Sequence, residues 1–290
     1  MNSGMLFGKL LLIYQMPKTG SQTVEATLQQ CGLPHRIIRL HFLSSHFAQP
    51  IVEKLRDRDV PQEWKRKARE QLDFTRRICR IVRARRILRA CGLNIPKVQV
   101  ITSLREPFSL ALSTIFENFS YFFPRTSTPS REDYLEILQR PKLHDFCQHW
   151  FDWELRPFIG IDVFQTPFPT ETGYAIYENG FARVLLYRYE ALEQLSAMLR
   201  QFLGCEVTAV QMRNVAGSKP YSAVYHDVQQ SLRLPPDLVS TQYNSRTMGH
   251  FYSEAERHRL LLRWTEPGGV NQPASRADRV FSSVDSLPQV

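Results

Sequence analysis

The chain has 290 residues, of which 43% are hydrophobic and 22% are charged, and its formal net charge at pH 7 is +9. This length suits one large α/β domain with a sizeable core. The chain has no run of about 18 apolar residues, and its N-terminus lacks the zones of a signal peptide, so we expect a cytoplasmic protein without a transmembrane segment. The five cysteines are scattered without the spacing of a zinc site.

The first motif is the stretch from Leu11 to Thr23, which reads LLIYQMPKTGSQT. Residues 11–15 predict a buried strand, and residues 21–31 predict a helix that Gly32 ends. The amides at the start of a helix lack intrahelical partners, and the helix dipole favours negative charge there. With Lys18 at the mouth of the turn, the motif predicts a site for a phosphorylated ligand. The alternative is a glycine turn with a solvated lysine.

This turn differs from an ATP-binding loop. The Walker A pattern places Gly, four residues and then Gly-Lys-Ser/Thr, whereas Lys18 precedes Gly20 and the turn is shorter. A P-loop kinase or hydrolase also carries an acidic metal ligand at the end of a neighbouring apolar strand, and the later strand ending at Leu104 presents none. The sequence therefore argues against ordinary Mg²⁺-nucleotide hydrolysis and predicts that no divalent metal is required.

A strand over residues 36–40 follows, with His41 directly after it, and a strongly basic segment comes next. Residues 54–89 contain fourteen basic and five acidic side chains, so this window alone accounts for the net charge of the chain. Apolar residues recur there at helical spacing, which predicts one or two amphipathic helices in an insertion over about residues 50–92. Two interpretations are open: a solvated helix surface, or an electropositive wall that attracts an anionic polymer.

Residues 98–103 predict another strong strand, which ends just before Arg105. The proline that follows suits the first turn of a helix, so we expect a helix over residues 108–119. Ser109 and Ser113 then share one helix face with Arg105 at its entrance, and the three side chains can converge on one phosphate. This is the second predicted anion site.

The rest of the chain continues to alternate helices and strands, which predicts a mostly parallel sheet covered on both faces, with ligands at the carboxyl ends of the strands. The predicted helices cover residues 131–138, 142–156, 191–203 and 253–264, and the predicted strands cover residues 161–164, 174–177 and 182–189. We expect one domain over residues 1–265 and a disordered polar tail over residues 266–290.

The two anion motifs together resemble those of sulfotransferases that use 3′-phosphoadenosine 5′-phosphosulfate (PAPS). Residues 17–23 are similar to the phosphosulfate loop of these enzymes, Pro-Lys-Thr-Gly-Ser-x-Thr, and Arg105 and Ser113 reproduce the spacing of their 3′-phosphate site. The resemblance implies a P-loop NTPase-like three-layer α/β/α sandwich of sulfotransferase type, with PAPS as co-substrate and no metal. The cofactor-binding residues predicted from the two motifs are Pro17, Lys18, Thr19, Gly20, Ser21, Gln22, Thr23, Arg105, Ser109 and Ser113.

Later segments resemble a bacterial sulfotransferase-like family of capsular polysaccharide synthesis proteins. They include WFDWE at residues 150–154, GIDVF at 160–164, YRYEAL at 187–192 and SKPY at 218–221, and the resemblance covers roughly residues 10–265. It implies sulfation of a surface glycan. It also implies a loop over the nucleotide, with cofactor contacts from Asn214, Ser218, Lys219 and Tyr221. Gln22 stands where many members have Ser or Thr, and Leu110 stands where Arg is common.

Sulfuryl transfer needs a group that stabilises the leaving phosphate and a base for the acceptor hydroxyl. We assign Lys18 to the leaving phosphate, and the amides of residues 19–23 with the hydroxyls of Ser21 and Thr23 to the cradle. His41 is the predicted base, because histidine has a near-neutral pKa and the Leu-His-Phe setting resembles the His-Phe segment of uronyl 2-O-sulfotransferases. His46 is the next candidate.

The sequence therefore predicts a cytoplasmic, bacterial sulfotransferase that moves a sulfuryl group from PAPS to a carbohydrate hydroxyl, in capsular or other surface polysaccharide synthesis. The expected partner is a glycan acceptor, anionic glycans included, and not a nucleic acid. Two alternatives stay open: a non-catalytic polyanion-binding protein with a degenerate P-loop, and a P-loop kinase.

Overall fold

The computed structural model describes residues 3–56, 58, 60–123, 126–207, 209–213 and 219–266. Its five strands are β1 (Leu10–Tyr14), β2 (Arg36–Leu40), β3 (Val98–Leu104), β4 (Tyr174–Glu178) and β5 (Ala182–Arg188). They form one sheet in the order β2-β1-β3-β5-β4. All neighbours pair in parallel except β4, which pairs antiparallel with β5 at the edge. The predicted α/β class and the mostly parallel sheet are confirmed.

Helices surround the sheet. They are α1 (Ser3–Phe7), α2 (Ser21–Gln29), α3 (Ser45–Arg56), α4 (Gln62–Ala90), α5 (Pro107–Glu117), α6 (Phe119–Phe122), α7 (Arg131–Leu138), α8 (Asp145–Trp150), α9 (Arg156–Ile159), α10 (Leu195–Leu203), α11 (Ser222–Ser231), α12 (Pro236–Tyr243), α13 (Arg246–Phe251) and α14 (Glu254–Thr265). The sequence did not predict α1, α6, α11, α12 or α13. None of the helices in these described ranges is long and apolar enough to cross a membrane.

Both faces of the sheet are buried, as β1 illustrates. Successive side chains of a strand point to opposite faces, and every residue of β1 is buried. Leu10 and Leu12 belong to a core that includes side chains of α4 and α5. Leu11 and Ile13 belong to a second core that includes side chains of α2 and α10. Helices therefore cover the sheet on each side, which gives three layers.

The basic insertion forms α3 and α4, as predicted, but part of its charge is structural. Arg85 of α4 is fully buried and donates from Nη1 to the carbonyl oxygens of Met5, Leu6 and Gly8. Its Nη2 donates to the carbonyl oxygen of Pro96 at 2.7 Å. Burial lowers the pKa of this guanidinium. Arg85 thus joins the segments that precede β1 and β3, and it is not part of a solvated cationic surface.

Two predicted elements are wrong in detail. Residues 161–164 form no strand, because the Asp162 side chain accepts a hydrogen bond from the Phe164 amide and starts a short 3-10 helix, Val163–Gln165. The predicted helix over residues 142–156 is a series of shorter elements: a 3-10 turn, α8, a π-helical turn over Phe151–Leu155, and α9. The predicted disordered tail lies outside the described residues, apart from Glu266.

Candidate functional site

A cavity lies at the carboxyl ends of β1, β2 and β3. The chain leaves β1 toward β2 on one side and returns to β3 on the other, and such a reversal leaves a crevice at the ends of parallel strands. Most of the predicted site residues line this cavity: Pro17, Lys18, Gly20, Ser21, Gln22, Thr23, His41, Arg105, Ser113 and Tyr221. The two anion motifs and the predicted base therefore face one space.

Five predicted residues are not among those that line the cavity. Thr19 is fully buried, and Ser109 is nearly so. Lys219 lies near enough to Lys18 to contribute to the lowering of its pKa, after the larger effect of burial. Asn214 and Ser218 lie outside the described residues.

The turn after β1 holds Lys18 in an unusual backbone conformation. Lys18 has φ 64°, and it is the one non-glycine residue with positive φ in the described part of the chain. Thr19 locks the turn, because its hydroxyl donates to the carbonyl oxygen of Met16 at 2.6 Å and accepts from the Gln15 side chain at 3.0 Å. A left-handed lysine costs free energy, and this network keeps it in place.

Gly20 follows with φ 85° and is the N-cap of α2. A Cβ at this position would lie 3.3 Å from the Leu192 side chain and 3.5 Å from the Tyr189 ring, so glycine fits both the conformation and the space. No side chain caps the helix, which leaves its first amides directed at the cavity. The Thr23 hydroxyl, which the sequence predicts to be part of the cradle, accepts from the Arg213 amide at 3.1 Å.

Arg105 connects β3 to this turn. Its Nη1 donates to the carbonyl oxygen of Lys18 at 3.1 Å, and its guanidinium carbon lies 4.3 Å from the centre of the Tyr189 ring. Glu106 follows and caps α5 by accepting from the amides of Phe108 and Ser109. The cap fixes the start of α5, and Ser113, one turn after Ser109, lines the cavity.

His41 enters the cavity from the end of β2. Its Nδ1 is 2.9 Å from the carbonyl oxygen of Gln15. A carbonyl only accepts, so Nδ1 carries the proton of the neutral imidazole and Nε2 is left with its lone pair. Burial lowers the pKa of His41, although its hydrogen bond to Gln15 acts against this. His41 is therefore a neutral base at pH 7. The other candidate, His46, stacks on Trp153 with ring centres 4.7 Å apart and does not line the cavity.

The loop that carries His41 is held by a buried carboxylate. Glu154, in the π-helical turn, is fully buried and accepts from the amides of Leu43 and Ser44, from the Ser44 hydroxyl and from the Tyr14 hydroxyl. The Trp150 indole also donates to the carbonyl oxygen of His41 at 3.2 Å. Burial raises the pKa of Glu154, and its hydrogen bonds oppose that shift. Sequence reasoning missed this role, because the partners are far apart in the chain.

Glu117 is the other functional residue that the sequence did not reveal. Its Oε2 lies 3.1 Å from Nζ of Lys18 and also accepts from the Tyr221 hydroxyl at 3.3 Å. Burial acts to raise the pKa of Glu117, but the contact with Lys18 outweighs it and the pKa falls below its usual range. Glu117 follows Ser113 by four residues on α5, and this helical spacing was the available signal.

No group of three or more His, Cys, Asp or Glu side chains within the described ranges could hold a metal ion.

Comparison with known families gives a match over part of the chain. Residues 132–253 match the model of a family described as "Putative capsular polysaccharide synthesis protein". Tyr189, Leu192 and Tyr221 of the cavity lie within the matched stretch, whereas the turn after β1 and Arg105 lie outside it. No curated protein matches the chain, and no solved structure matches it either.

Proposed function

We propose that this protein is a sulfotransferase that moves a sulfuryl group from PAPS to a carbohydrate hydroxyl in the synthesis of a capsular or other surface polysaccharide. The observation that carries the proposal is that Lys18, His41, Arg105 and Ser113 all line one cavity. The family match over residues 132–253 supports the polysaccharide context.

The residues present suit a nucleotide with phosphates at both ends. Lys18 and the uncapped start of α2 offer one anion site. Arg105 and Ser113 offer a second one from β3 and α5. Tyr189, Leu192 and Met212 supply apolar and aromatic surface in the same cavity, as a nucleobase requires.

When bound, PAPS would supply an activated sulfuryl group on a phosphate leaving group. His41 accepts the proton of the acceptor hydroxyl through Nε2 while the new oxygen–sulfur bond forms and the bond from sulfur to the leaving phosphate breaks. Lys18 and the amides of α2 stabilise the negative charge that develops on that phosphate. Arg105 and Ser113 hold the 3′-phosphate and so orient the nucleotide for in-line transfer.

The proposal is tested by calorimetry with 3′-phosphoadenosine 5′-phosphate (PAP) and with ATP, each with and without Mg²⁺. We expect PAP to bind without metal and more tightly than ATP. Lys18→Met should weaken PAP binding, whereas Lys97→Met, at the amino end of β3, should leave it unchanged. Transfer of labelled sulfate from PAPS to a panel of polysaccharides then tests the reaction. Mg²⁺-dependent ATP turnover would support a kinase instead.

A second candidate function is binding of an anionic polymer by α4. The observation in its favour is that Arg69, Arg77 and Arg80 are exposed and have no acidic side chain within ion-pair distance among the described residues. This candidate requires salt-sensitive binding that survives Lys18→Met.

A further inference from the structure

The Lys18–Glu117 ion pair has a consequence for ligand binding. Lys18 is the group that we assign to the leaving phosphate, and its ammonium already contacts a carboxylate of the protein at 3.1 Å. Both side chains line the cavity, where Glu117 is the one acidic group among the described lining residues, against the cations of Lys18, Arg39, Arg105 and Arg213. A phosphate that approaches Lys18 therefore meets a carboxylate at the same place.

We propose that Glu117 sets the affinity of the cavity for anions by competing with the ligand for Lys18. Its carboxylate neutralises Lys18 in the free protein, and a bound phosphate replaces it. Glu117 thereby weakens the binding of nucleotide and shortens the lifetime of the bound product. This inference rests on the proposed function for the identity of the ligand, but the competition itself applies to any anion that binds at Lys18.

The position of Glu117 supports this role. It is the last residue of α5, where the helix dipole disfavours a negative charge. The helix therefore gives no reason for a carboxylate there, but Lys18 does. The Lys18 side chain is only 17% exposed, and an unpaired buried cation is costly. The Glu117 side chain is 38% exposed, so it has room to turn toward solvent when a ligand arrives.

Tyr221 gives the carboxylate a second contact. Its hydroxyl donates to Oε2 of Glu117 at 3.3 Å, and its ring packs at 5.4 Å from that of Phe116. When Glu117 leaves Lys18, this hydroxyl becomes free to donate to a ligand in the cavity that it lines. Displacement of the Glu117 carboxylate therefore leaves both Lys18 and Tyr221 able to donate to the incoming phosphate.

The competition makes a quantitative prediction. If displacement of Glu117 from Lys18 costs every ligand the same free energy, removal of the carboxylate should tighten binding of every such anion by the same factor. For a partly exposed ion pair we expect a factor of about five. If the carboxylate instead stayed in place and only repelled the ligand, it would weaken the binding of highly charged anions most. Its removal would then tighten binding of the more highly charged ligand by the larger factor.

The test is calorimetry with PAP and with inorganic pyrophosphate on the wild type, Glu117→Gln and Glu178→Gln. Glu178 is the matched control, because it is an exposed glutamate paired with Lys97 far from the cavity, and its replacement changes the net charge equally. We expect Glu117→Gln to bind both ligands about fivefold more tightly and Glu178→Gln to bind them as the wild type does. Melting temperatures check that the variants are folded.

The outcomes separate the inference from the proposed function. Unchanged or weaker binding by Glu117→Gln, or unequal gains for the two ligands, overturns the competition even if the wild type binds PAP without metal. Failure of the wild type to prefer PAP overturns the nucleotide assignment, while a gain for pyrophosphate in Glu117→Gln would still support competition for Lys18. If Glu117→Gln also releases PAP more slowly in a stopped-flow displacement experiment, the effect on product lifetime is supported, and an unchanged release rate contradicts it.

Discussion

Arg105 donates a hydrogen bond from Nη1 to the main-chain oxygen of Lys18 at 3.1 Å, so a cation at the end of β3 supports the turn that follows β1. The two predicted anion motifs are therefore in direct contact, although they are separated by more than eighty residues of sequence. Arg105 both supports the strained turn and lines the cavity. Its replacement should therefore affect the stability of the turn and ligand binding together.

Arg105→Lys should lower both stability and nucleotide affinity. Lysine keeps the charge but lacks the planar fork that reaches the Lys18 carbonyl and stacks on Tyr189. We expect a loss of about 1.5 kcal/mol in the free energy of unfolding and PAP binding weakened about tenfold. Urea denaturation and calorimetry measure the two effects. A variant with wild-type affinity would remove Arg105 from the proposed 3′-phosphate site.

Lys18→Gly should change stability and activity in opposite directions. Glycine accepts the positive φ of this position, which relieves about 1 kcal/mol of backbone strain, although part of this gain is offset by the more flexible unfolded chain. Loss of the ammonium should reduce kcat at least about a hundredfold. Lys18→Met is the comparison, since it loses the charge but keeps the strain. If the Lys18→Gly variant were no more stable than Lys18→Met, the positive φ of this position would not be a source of strain.

The pH dependence of the reaction should report His41. Burial lowers its pKa from the usual 6.5, so kcat/KM should rise with pH on an acidic limb whose midpoint lies below 6.5 and should be level near pH 7. His41→Asn should lower kcat by a factor of about 10²–10⁴ and abolish that limb. His46→Asn should keep the limb. The opposite pattern would assign the base to His46.

The same shift predicts a change in stability with pH. The folded-state pKa of His41 is lower than that of the unfolded chain, so below pH 6.5 the unfolded state binds a proton that the folded state does not. The free energy of unfolding should therefore fall as pH decreases from 6.5 to the folded-state pKa of His41. In His41→Asn this part of the pH dependence should disappear, and urea denaturation between pH 5 and 7.5 measures it.

Much of the site was predictable because local patterns determine it. Residues 17–23 and Arg105 follow strongly apolar strands, and the carboxyl ends of parallel strands meet at one end of the sheet. The sequence alone therefore predicted that Lys18 and Arg105 lie close together, and both line the cavity. What the sequence could not show are contacts between distant segments. Asp162 starts a 3-10 helix where the pattern indicated a strand, and Arg85 binds carbonyl groups that lie up to 80 residues away.

The basic helix α4 illustrates the limit of charge counting. Arg85 is buried and binds backbone carbonyls, whereas Arg77, about two turns earlier in the same helix, is exposed. Arg85→Met should lower the free energy of unfolding by about 3 kcal/mol, because four carbonyl groups lose a charged donor. Arg77→Gln should leave stability within about 0.5 kcal/mol. If α4 binds an anionic polymer, the same substitution should weaken that binding and reduce its salt dependence.

Replacement of Glu154 tests how the fold positions His41, the proposed base. Its carboxylate accepts from two amides and two hydroxyls, and three of these four donors belong to Leu43 and Ser44, which follow His41 by two and three residues. Glu154→Ala should lower the free energy of unfolding by about 3 kcal/mol, since these buried donors lose their acceptor. Tyr14→Phe, which removes one donor and leaves the carboxylate in place, should cost about 1.5 kcal/mol.

The two variants should also differ in catalysis. In Glu154→Ala the loop that carries His41 loses its support, so we expect kcat to fall by at least about tenfold while PAP affinity, which depends on the turn after β1 and on Arg105, stays near the wild-type value. Tyr14→Phe should keep kcat, because the contacts of Leu43 and Ser44 with the carboxylate remain. Equal losses of kcat and of PAP affinity in Glu154→Ala would mean that the substitution disturbs the whole cavity, and Glu154 would then have no separate role in positioning His41.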